Sequence, residues 1–232
     1  MFTYWIEKML HFHNLKKLIP HHTFLTKKIG KSDFFLVGGC VREILLGTTK
    51  NPLDIDFTMA GNPLKIYQNL NTDGISHFIT EKYGTITLIP QDKNNELKYE
   101  LTPLRAETGY QDCRHPKEIF WSDDLLLDVQ RRDFTINAMA YSDETGLVDE
   151  FCGMEDLEKK VVRCVGEAKE RFQEDALRML RAIRFSAQLD FRIDEDSYQA
   201  IVENAYLISR LSMESMRNEF VKIFSDAYGY DA

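Results

Sequence analysis

The feature that most constrains this sequence is a pair of aspartates inside an apolar run, Leu53-Asp54-Ile55-Asp56-Phe57. Positions i and i+2 of a β-strand share a face, so a strand here would project Asp54 and Asp56 together and turn Ile55 into the core. Two adjacent carboxylates repel each other and therefore need a cation. Mg²⁺ fits this pattern because it binds oxygen ligands and keeps positions open for substrate phosphates. The alternative is a turn with two solvated aspartates.

A glycine pair before the aspartates suits phosphate binding. Phe34–Val37 has the pattern of a buried strand, Gly38 and Gly39 end it, and residues 41–47 have the pattern of a short helix. Such a turn is a cradle, because small residues admit a phosphate to the N–H groups of the helix N-terminus. Arg42 can add a fork of donors to the same phosphates. An ordinary strand–helix turn is the alternative, but a carboxylate pair so soon afterwards favours a nucleotide site.

Taken together, the segments LVGGCVREILLG and PLDIDFT resemble the first motif of the class II tRNA nucleotidyltransferases. This family contains the CCA-adding enzymes and their bacterial poly(A) polymerase relatives. Later segments, RRDFTINA at 131–138 and EDALR at 174–178, are similar to further motifs, and the resemblance covers about residues 34–224. There are two departures. Glu43 stands where the family usually has Asp, and Thr48–Asn51 is slightly longer than usual. Neither removes a catalytic group.

The order of predicted elements indicates an α+β fold. Strand-like runs at Ile75–Phe78, Thr85–Ile89 and Leu97–Leu101 follow one another with few helices between them. This succession is typical of a mixed, largely antiparallel sheet rather than a doubly wound one. The resemblance implies a nucleotidyltransferase head of the polymerase-β type, followed by an all-helical neck domain that recognises the nucleotide base.

The predicted domain boundary lies at residue 150. Residues 1–150 would form the head and 151–232 the neck. Within the head, residues 1–30 are predicted to be an amphipathic helical extension broken at Pro20. We assign that extension no chemistry and interpret its four histidines, which have no cysteine or acidic partners nearby, as surface residues.

Composition limits the possible partners. The chain carries 37 acidic and 29 basic residues, a net charge of −8, which argues against a general nucleic-acid coat because phosphate backbones attract an excess of Lys and Arg. Any RNA contact would be local. No apolar run is long enough to span a bilayer, so no membrane partner is expected. The four cysteines lack metal-like or disulfide-like spacing and are expected to be free thiols in a cytoplasmic enzyme.

The resemblance places Glu100 on the strand beside the two aspartates, as a third carboxylate; the alternative is a surface glutamate on an edge strand. Residues 104–124 then form a polar segment with charges of both signs, which predicts a mobile surface loop. It resembles the flexible loop that A-adding members of the family keep and CC-only members have lost.

RRDFTINA supplies a second group of candidates. Two arginines suit a triphosphate or ribose site, and Arg132 is the one we assign to it. Asp133 and Asn137 are spaced i and i+4, so a helix would place them on one face, where the amide can bind a sugar hydroxyl. A surface helix start capped by Asp133 is the alternative; the match to the family favours the nucleotide site.

Residues 167–189 are predicted to form a single helix. Its periodicity places Arg178 and Arg181 opposite a packed face, with Asp175 and Arg184 at the flanks. The predicted packed face comprises Ala176, Met179, Leu180, Ile183 and Ala187. A solvated basic face is the alternative, but three arginines cluster here in an acidic protein, and EDALR matches the family.

The pair Asp175 and Arg178 has its own chemical logic. Cytosine and adenine both present an exocyclic amine beside a ring-nitrogen acceptor, whereas uracil and guanine present a carbonyl beside a ring N–H. An Asp acceptor next to an Arg donor therefore accepts C and A and rejects U and G. Unpaired polar groups are costly in a closed site, so the rejection can be strong. The resemblance adds Arg181 and Arg184 as support for this nucleotide site.

The resemblance implies transfer of C and A from CTP and ATP to the 3′ end of tRNA, releasing pyrophosphate. Asp54, Asp56 and Glu100 would be catalytic, with Mg²⁺ on Asp54 and Asp56. Gly38, Gly39 and Arg42 would hold the triphosphate. An A-only enzyme, either an A-adding enzyme or a poly(A) polymerase, remains an alternative. Others are a non-catalytic nucleotide-binding module and a structural helical adaptor.

A last expectation concerns tRNA. Family members continue with helical domains that hold the tRNA elbow, so this 232-residue chain is expected to bind nucleotide but to bind full tRNA weakly without a partner or further domains.

Overall fold

The computed structural model describes residues 12, 19, 22–29, 34–48, 54–70, 75–80, 83–90, 97–110 and 116–228. Among these, seven strands form one sheet in the order β3-β4-β5-β2-β1-β8-β9. The strands are β1 (Phe34–Val37), β2 (Asp54–Met59), β3 (Ile75–Thr80), β4 (Thr85–Pro90), β5 (Lys98–Pro103), β8 (Ala140–Ser142) and β9 (Gly146–Val148). Within this sheet, the β2–β5 pair is parallel and the other pairs are antiparallel. The prediction of a mixed, largely antiparallel sheet is confirmed.

The two faces of the central strands differ in chemistry. Ile55, Phe57, Tyr99 and Leu101 alternate along β2 and β5 and are all buried. Burying a large apolar side chain contributes roughly 1.5–3 kcal/mol, so this face is the core of the sheet. The intervening positions, which include Asp56, therefore belong to the opposite face.

Among the described residues, four helices accompany this sheet: α1 (His22–Ile29), α2 (Gly39–Leu46), α3 (Pro63–Asn69) and α4 (Leu125–Gln130). Asn62 caps the start of helix α3, because its side-chain oxygen accepts from the backbone N–H groups of Leu64 and Lys65. Helix α2 ends at Gly47, which adopts the left-handed conformation with φ 71°. The predicted strand, glycine turn and helix are therefore present.

The chain divides into two compact units. The first comprises residues 1–106, 120–129 and 139–149, and the second comprises residues 107–119, 130–138 and 150–232. The segment containing RRDFTINA groups with the second unit, although the sequence-based division assigned it to the head. The head–neck boundary at residue 150 therefore stays a prediction.

The second unit is mainly helical. Its helices are α5 (Gly153–Lys159), α6 (Ala168–Glu174), α7 (Leu177–Leu189), α8 (Glu195–Asn204) and α9 (Met213–Tyr228), with 3-10 turns at Thr135–Asn137 and Ala205–Arg210. It is not all-helical, because β10 (Val161–Val162) and β11 (Arg192–Ile193) pair in parallel.

The prediction of a mobile loop over residues 104–124 is wrong for the parts at either end of this segment. Arg105–Tyr110 and Pro116–Trp121 form strands β6 and β7, which pair in a two-stranded sheet. The mixed charges suggested a loop, yet aromatic and β-branched residues such as Ile119, Phe120 and Trp121 favour strands. Residues 111–115 lie outside the described part of the chain.

The predicted single helix over 167–189 is also wrong. It is broken between α6 and α7 at Asp175, whose backbone is extended with φ −139° and ψ 99°. The Asp175 carboxylate accepts the backbone N–H of Leu177 at 3.0 Å. A side chain that satisfies a backbone donor competes with helix continuation, so the break has a local cause.

The N-terminal prediction is only partly testable. Helix α1 is present, whereas Pro20 and the histidines at 11, 13 and 21 lie outside the described residues. His22 is not a surface residue: it is buried, its ring centroid lies 6.4 Å from that of Phe34 and 6.2 Å from that of Phe57, and its Nδ1 is 3.8 Å from Asp143. Within the described residues, no helix has the length and apolar character that a membrane span requires.

Candidate active site

The first part of the site is a row of carboxylates on neighbouring strands. The parallel pairing of β2 and β5 places Asp56 opposite Glu100 and Asp54 opposite Lys98. Adjacent strands lie about 4.8 Å apart, so the side chains of residues 56 and 100 originate within reach of one ion. Lys98 also forms an ion pair with Glu100. The predicted position of Glu100 beside the aspartates is thus confirmed, and its catalytic role stays a prediction.

The donor set of this row fits a hard divalent cation. Asp56 and Glu100 supply carboxylate oxygens, which are the ligands that Mg²⁺ prefers. The side chain of Asp54 lies outside the described part of the structure, and the strand backbone places position 54 on the same face as position 56. In the described part of the chain, no group of three or more His, Cys, Asp or Glu side chains is close enough to hold a metal.

The glycine turn adjoins the start of β2. Strand β1 runs antiparallel to β2 with Leu36 opposite Phe57, so the end of β1 lies beside Asp56. Gly38 has φ 73° and ψ −137°, a conformation that favours glycine. Burial, with the nearby charge of Asp56, raises the pKa of the Cys40 thiol to about 12 despite a backbone hydrogen bond from Asp56. The thiol is therefore neutral, and it offers no thiolate ligand beside the carboxylates.

Arg42 lies close to this turn and is buried. A Cβ added at Gly39 would lie 3.5 Å from Arg42 Nη2, so the guanidinium passes close to the first residue of α2. Arg42 Nη2 is also 3.5 Å from the carboxylate of Glu43, the residue that departs from the family pattern. Helix N–H groups and a guanidinium therefore converge at one end of β1, as a phosphate site requires.

The second unit holds a separate polar cluster around Asp133. Asn137 Nδ2 donates to Asp133 Oδ1 at 3.1 Å, and the Phe134 backbone N–H donates to the same oxygen at 2.8 Å. Arg181 Nε donates to Asp133 Oδ2 at 2.7 Å. Asp133 and Asn137 are therefore neighbours as predicted, but through a 3-10 turn rather than an α-helix.

This cluster determines the protonation of Asp133. Burial alone would raise its pKa, but the Arg181 charge and the hydrogen bonds from Asn137, Arg181 and the Phe134 N–H together lower the pKa to about 2, from an ordinary 3.8. A lowered pKa means that the ionised form stabilises the fold, and that this stabilisation is lost as the pH falls through about 3.8 towards 2.

We expect Asp133→Asn to lower the free energy of unfolding by about 2 kcal/mol at pH 7, because Arg181 loses its buried partner. The deficit relative to wild type should shrink by about 1 kcal/mol between pH 5 and pH 3, because over this range Asp133 takes up a proton in the unfolded chain, where its pKa is about 3.8, while it stays largely ionised in the folded protein. Urea unfolding at both pH values measures this. Glu158→Gln, on an exposed side chain of α5, is the control. A deficit for Asp133→Asn that does not change with pH contradicts the assignment.

Arg178 is fixed by acceptors on three sides. Its Nη1 donates to Glu174 Oε2 at 3.0 Å and to the Arg171 carbonyl at 3.3 Å, and its Nη2 donates to the Arg131 carbonyl at 3.0 Å. Its backbone N–H donates to the Asp175 carbonyl at 3.1 Å, so Asp175 and Arg178 are adjacent as predicted. The guanidinium is thus oriented before any ligand binds.

Arg184 is held by an acidic residue far along the chain. Its Nε lies 3.0 Å from Glu219 Oε2 on α9, and both side chains are buried. Its guanidinium carbon also lies 4.5 Å from the ring centroid of Phe185. The predicted faces of this helix are wrong in part, because Arg178 and Arg184 are buried whereas Ile183 and Ala187 are exposed.

Sequence reasoning did not identify the acidic residues that orient these arginines. Glu174 also pairs with Arg171, and Glu107 lies 3.5 Å from Arg131, whose carbonyl accepts from Arg178. The i,i+3 and i,i+4 spacings around Glu174 were a usable signal. Glu107 and Glu219 showed no such spacing signal for their contacts with Arg131 and Arg184, because these arginines are distant in sequence. Arg132, assigned to phosphate or ribose, is half-buried.

Two models of known protein families match parts of this chain. The family model described as "Poly A polymerase head domain" matches residues 34–163, more than half of the chain. The chain belongs to this family. A second model, described as "Probable RNA and SrmB- binding site of polymerase A", matches residues 190–232.

Individual relatives carry a more specific name. The CCA-adding enzyme of Lactobacillus johnsonii is 39% identical over 216 residues, which cover 90% of this chain and 51% of the relative. The crystal structure of the Bacillus stearothermophilus CCA-adding enzyme in complex with CTP matches with a TM-score of 0.74 and 33% identity over 89% of this chain and 48% of that one. The Thermotoga maritima CCA-adding enzyme complexed with tRNA_CCA matches with a TM-score of 0.69 and 29% identity, over 87% and 46%. The chain spans about half the length of these relatives.

Proposed function

We propose that this chain is the catalytic and base-reading part of a CCA-adding tRNA nucleotidyltransferase. It would transfer nucleotides from CTP and ATP to the 3′ end of tRNA and release pyrophosphate. The observation that carries the proposal is the register that pairs Asp56 with Glu100 beside the Gly38–Gly39 turn. The name CCA-adding enzyme, which relatives such as those of Lactobacillus johnsonii and Pediococcus pentosaceus carry, favours full CCA addition over the A-only alternative.

In the proposed site, Asp54 and Asp56 bind Mg²⁺ and Glu100 is the third carboxylate of the row. A bound Mg²⁺ would lower the pKa of the attacking 3′-hydroxyl and stabilise charge on the α-phosphate. Gly38, Gly39 and Arg42 bind the triphosphate through helix N–H groups and the guanidinium.

The proposed roles in the second unit are supported by the contacts around Asp133, Arg178 and Arg184. Arg132, Asp133 and Asn137 contribute to phosphate and ribose binding, with Asp133 orienting both Asn137 and Arg181. Asp175 and Arg178 select the base, and the acceptors around Arg178 limit its rotation. Arg184, held by Glu219, supports α7. A cytoplasmic location follows from tRNA as the substrate and is part of the proposal.

The test is extension of three tRNA substrates that end before, within and after the CC sequence. With Mg²⁺, CTP and ATP, we expect all three to end in CCA. A-only activity would extend only the substrate that already carries CC, and a non-catalytic module would extend none. Binding of full tRNA to this chain, measured by fluorescence anisotropy at physiological salt, is predicted to be weaker than micromolar because the net charge of −8 opposes phosphate binding.

A further inference from the structure

The sheet face that carries the carboxylates continues beyond them to an edge strand. The register places Asp56 opposite Glu100, Glu100 opposite Thr87, and Thr87 opposite Phe78. These four residues therefore form one row across β2, β5, β4 and β3. Ile89, on β4, lies opposite Ser76 and is thus a diagonal neighbour of Phe78 on the same face.

Two apolar side chains are exposed on this otherwise polar face. Phe78 is 49% exposed and Ile89 is 43% exposed. The alternate positions of the same strands turn inward, and Ile86 and Leu88 are fully buried. The core of this unit therefore does not use Phe78 or Ile89, although both project from well-paired strands.

The distances suit a polymer that ends at the carboxylates. With adjacent strands about 4.8 Å apart, Ile89 lies about 10 Å and Phe78 about 14 Å from the Asp56 strand. We propose that Phe78 and Ile89 form a stacking ledge for bases of the single-stranded RNA 3′ end whose terminal hydroxyl reaches Asp54 and Asp56. This inference rests on the proposed function, because that function supplies the RNA 3′ end.

Charge and area favour this ligand over a protein partner. Base–aromatic stacking contributes about 1–3 kcal/mol per base without requiring positive charge, which suits a chain of net charge −8. The exposed Thr80 lies two residues from Phe78 on the same face of β3, where its hydroxyl suits sugar and phosphate contacts. A stable protein interface buries about 1,200 Å² or more, which two exposed side chains do not supply.

The test compares two substitutions of Phe78. Phe78→Ala should raise the KM for a tRNA substrate lacking CCA by about 5- to 100-fold, which corresponds to the loss of one stacked base. The KM for CTP should not change, and Phe78→Trp, which keeps a stacking surface, should retain wild-type values. Leu64→Ala is the matched control, because Leu64 is also 45% exposed and apolar but lies on α3, outside this row.

Binding of a 5′-labelled oligocytidylate, measured by anisotropy, separates this inference from the proposed function. If wild type adds no nucleotide but Phe78→Ala still weakens oligonucleotide binding, the proposed activity is contradicted and the stacking ledge is supported. If wild type does not bind the oligonucleotide, or Phe78→Ala matches wild type in both binding and KM, the ledge is overturned. The same conclusion follows if Phe78→Ala only converts a dimer to a monomer in sedimentation.

Discussion

Asp56→Asn is expected to lower the rate of nucleotide incorporation by about 10³-fold or more at saturating CTP and Mg²⁺. The substitution keeps the size of the side chain but removes the charge that faces the β5 register partner Glu100. Because the loss falls on charge stabilisation in the transition state, kcat should fall far more than the affinity for CTP. Single-turnover incorporation of labelled CMP measures the effect. Asp54→Asn should behave in the same way.

The fold should survive this change, because Asp56 lies on the face opposite the buried Ile55 and Phe57. Circular dichroism and the thermal unfolding midpoint provide that check. Glu144→Gln, on the exposed turn between β8 and β9, is the charge-matched control and should retain full activity. Incorporation near the wild-type rate by either aspartate variant would show that the carboxylate row is not catalytic.

Asp175→Asn is expected to reduce the preference for CTP and ATP over UTP and GTP by about 10- to 100-fold. Asparagine keeps an oxygen that can accept the Leu177 N–H, so the start of α7 is preserved. It replaces one acceptor oxygen with a donor, and this weakens the match to the exocyclic amines of cytosine and adenine. Comparing kcat/KM for all four nucleotides measures the change.

Asp175→Ala separates the two roles of this residue. It removes both the acceptor for the Leu177 N–H and the acceptor for the base, so it should lose stability as well as selectivity, whereas Asp175→Asn should lose mainly selectivity. If Asp175→Asn lowers all four kcat/KM values by the same factor, Asp175 acts through the fold and not as a template for the base. Gln173→Glu, at an exposed position of α6, adds a charge nearby and should leave the selectivity unchanged.

Patterns that depend on neighbouring residues were readable from the sequence. Strand β1, the turn at Gly38 and Gly39, and the end of α2 at Gly47 follow from apolar runs and from backbone conformations that favour glycine. The alternation in β2 predicted a buried Ile55 between two aspartates. The succession of strand-like runs predicted a mixed, largely antiparallel sheet. The resemblance to the nucleotidyltransferases implied a head of the polymerase-β type.

Composition was less informative where backbone pairing or capping decides the structure. The polar segment containing Glu107 forms paired strands, because the ladder satisfies backbone groups whatever the side-chain charges are. The helix predicted over 167–189 is interrupted because the Asp175 side chain accepts a backbone N–H, an interaction that hydrophobic periodicity does not register.

By itself, the sequence determined the type of chemistry: a glycine turn, a carboxylate pair and an Asp–Arg pair, each within a few residues of chain. The tertiary structure decided how distant residues complete these groups. The resemblance had placed Glu100 beside the aspartates, and the structure gives the physical reason, because β5 pairs in parallel with β2. Only the structure shows that Arg184 is buried, because Glu219 on α9 supplies its counter-charge. A buried charge needs a partner, and the partner can come from anywhere in the chain, so local periodicity places such arginines on the wrong face.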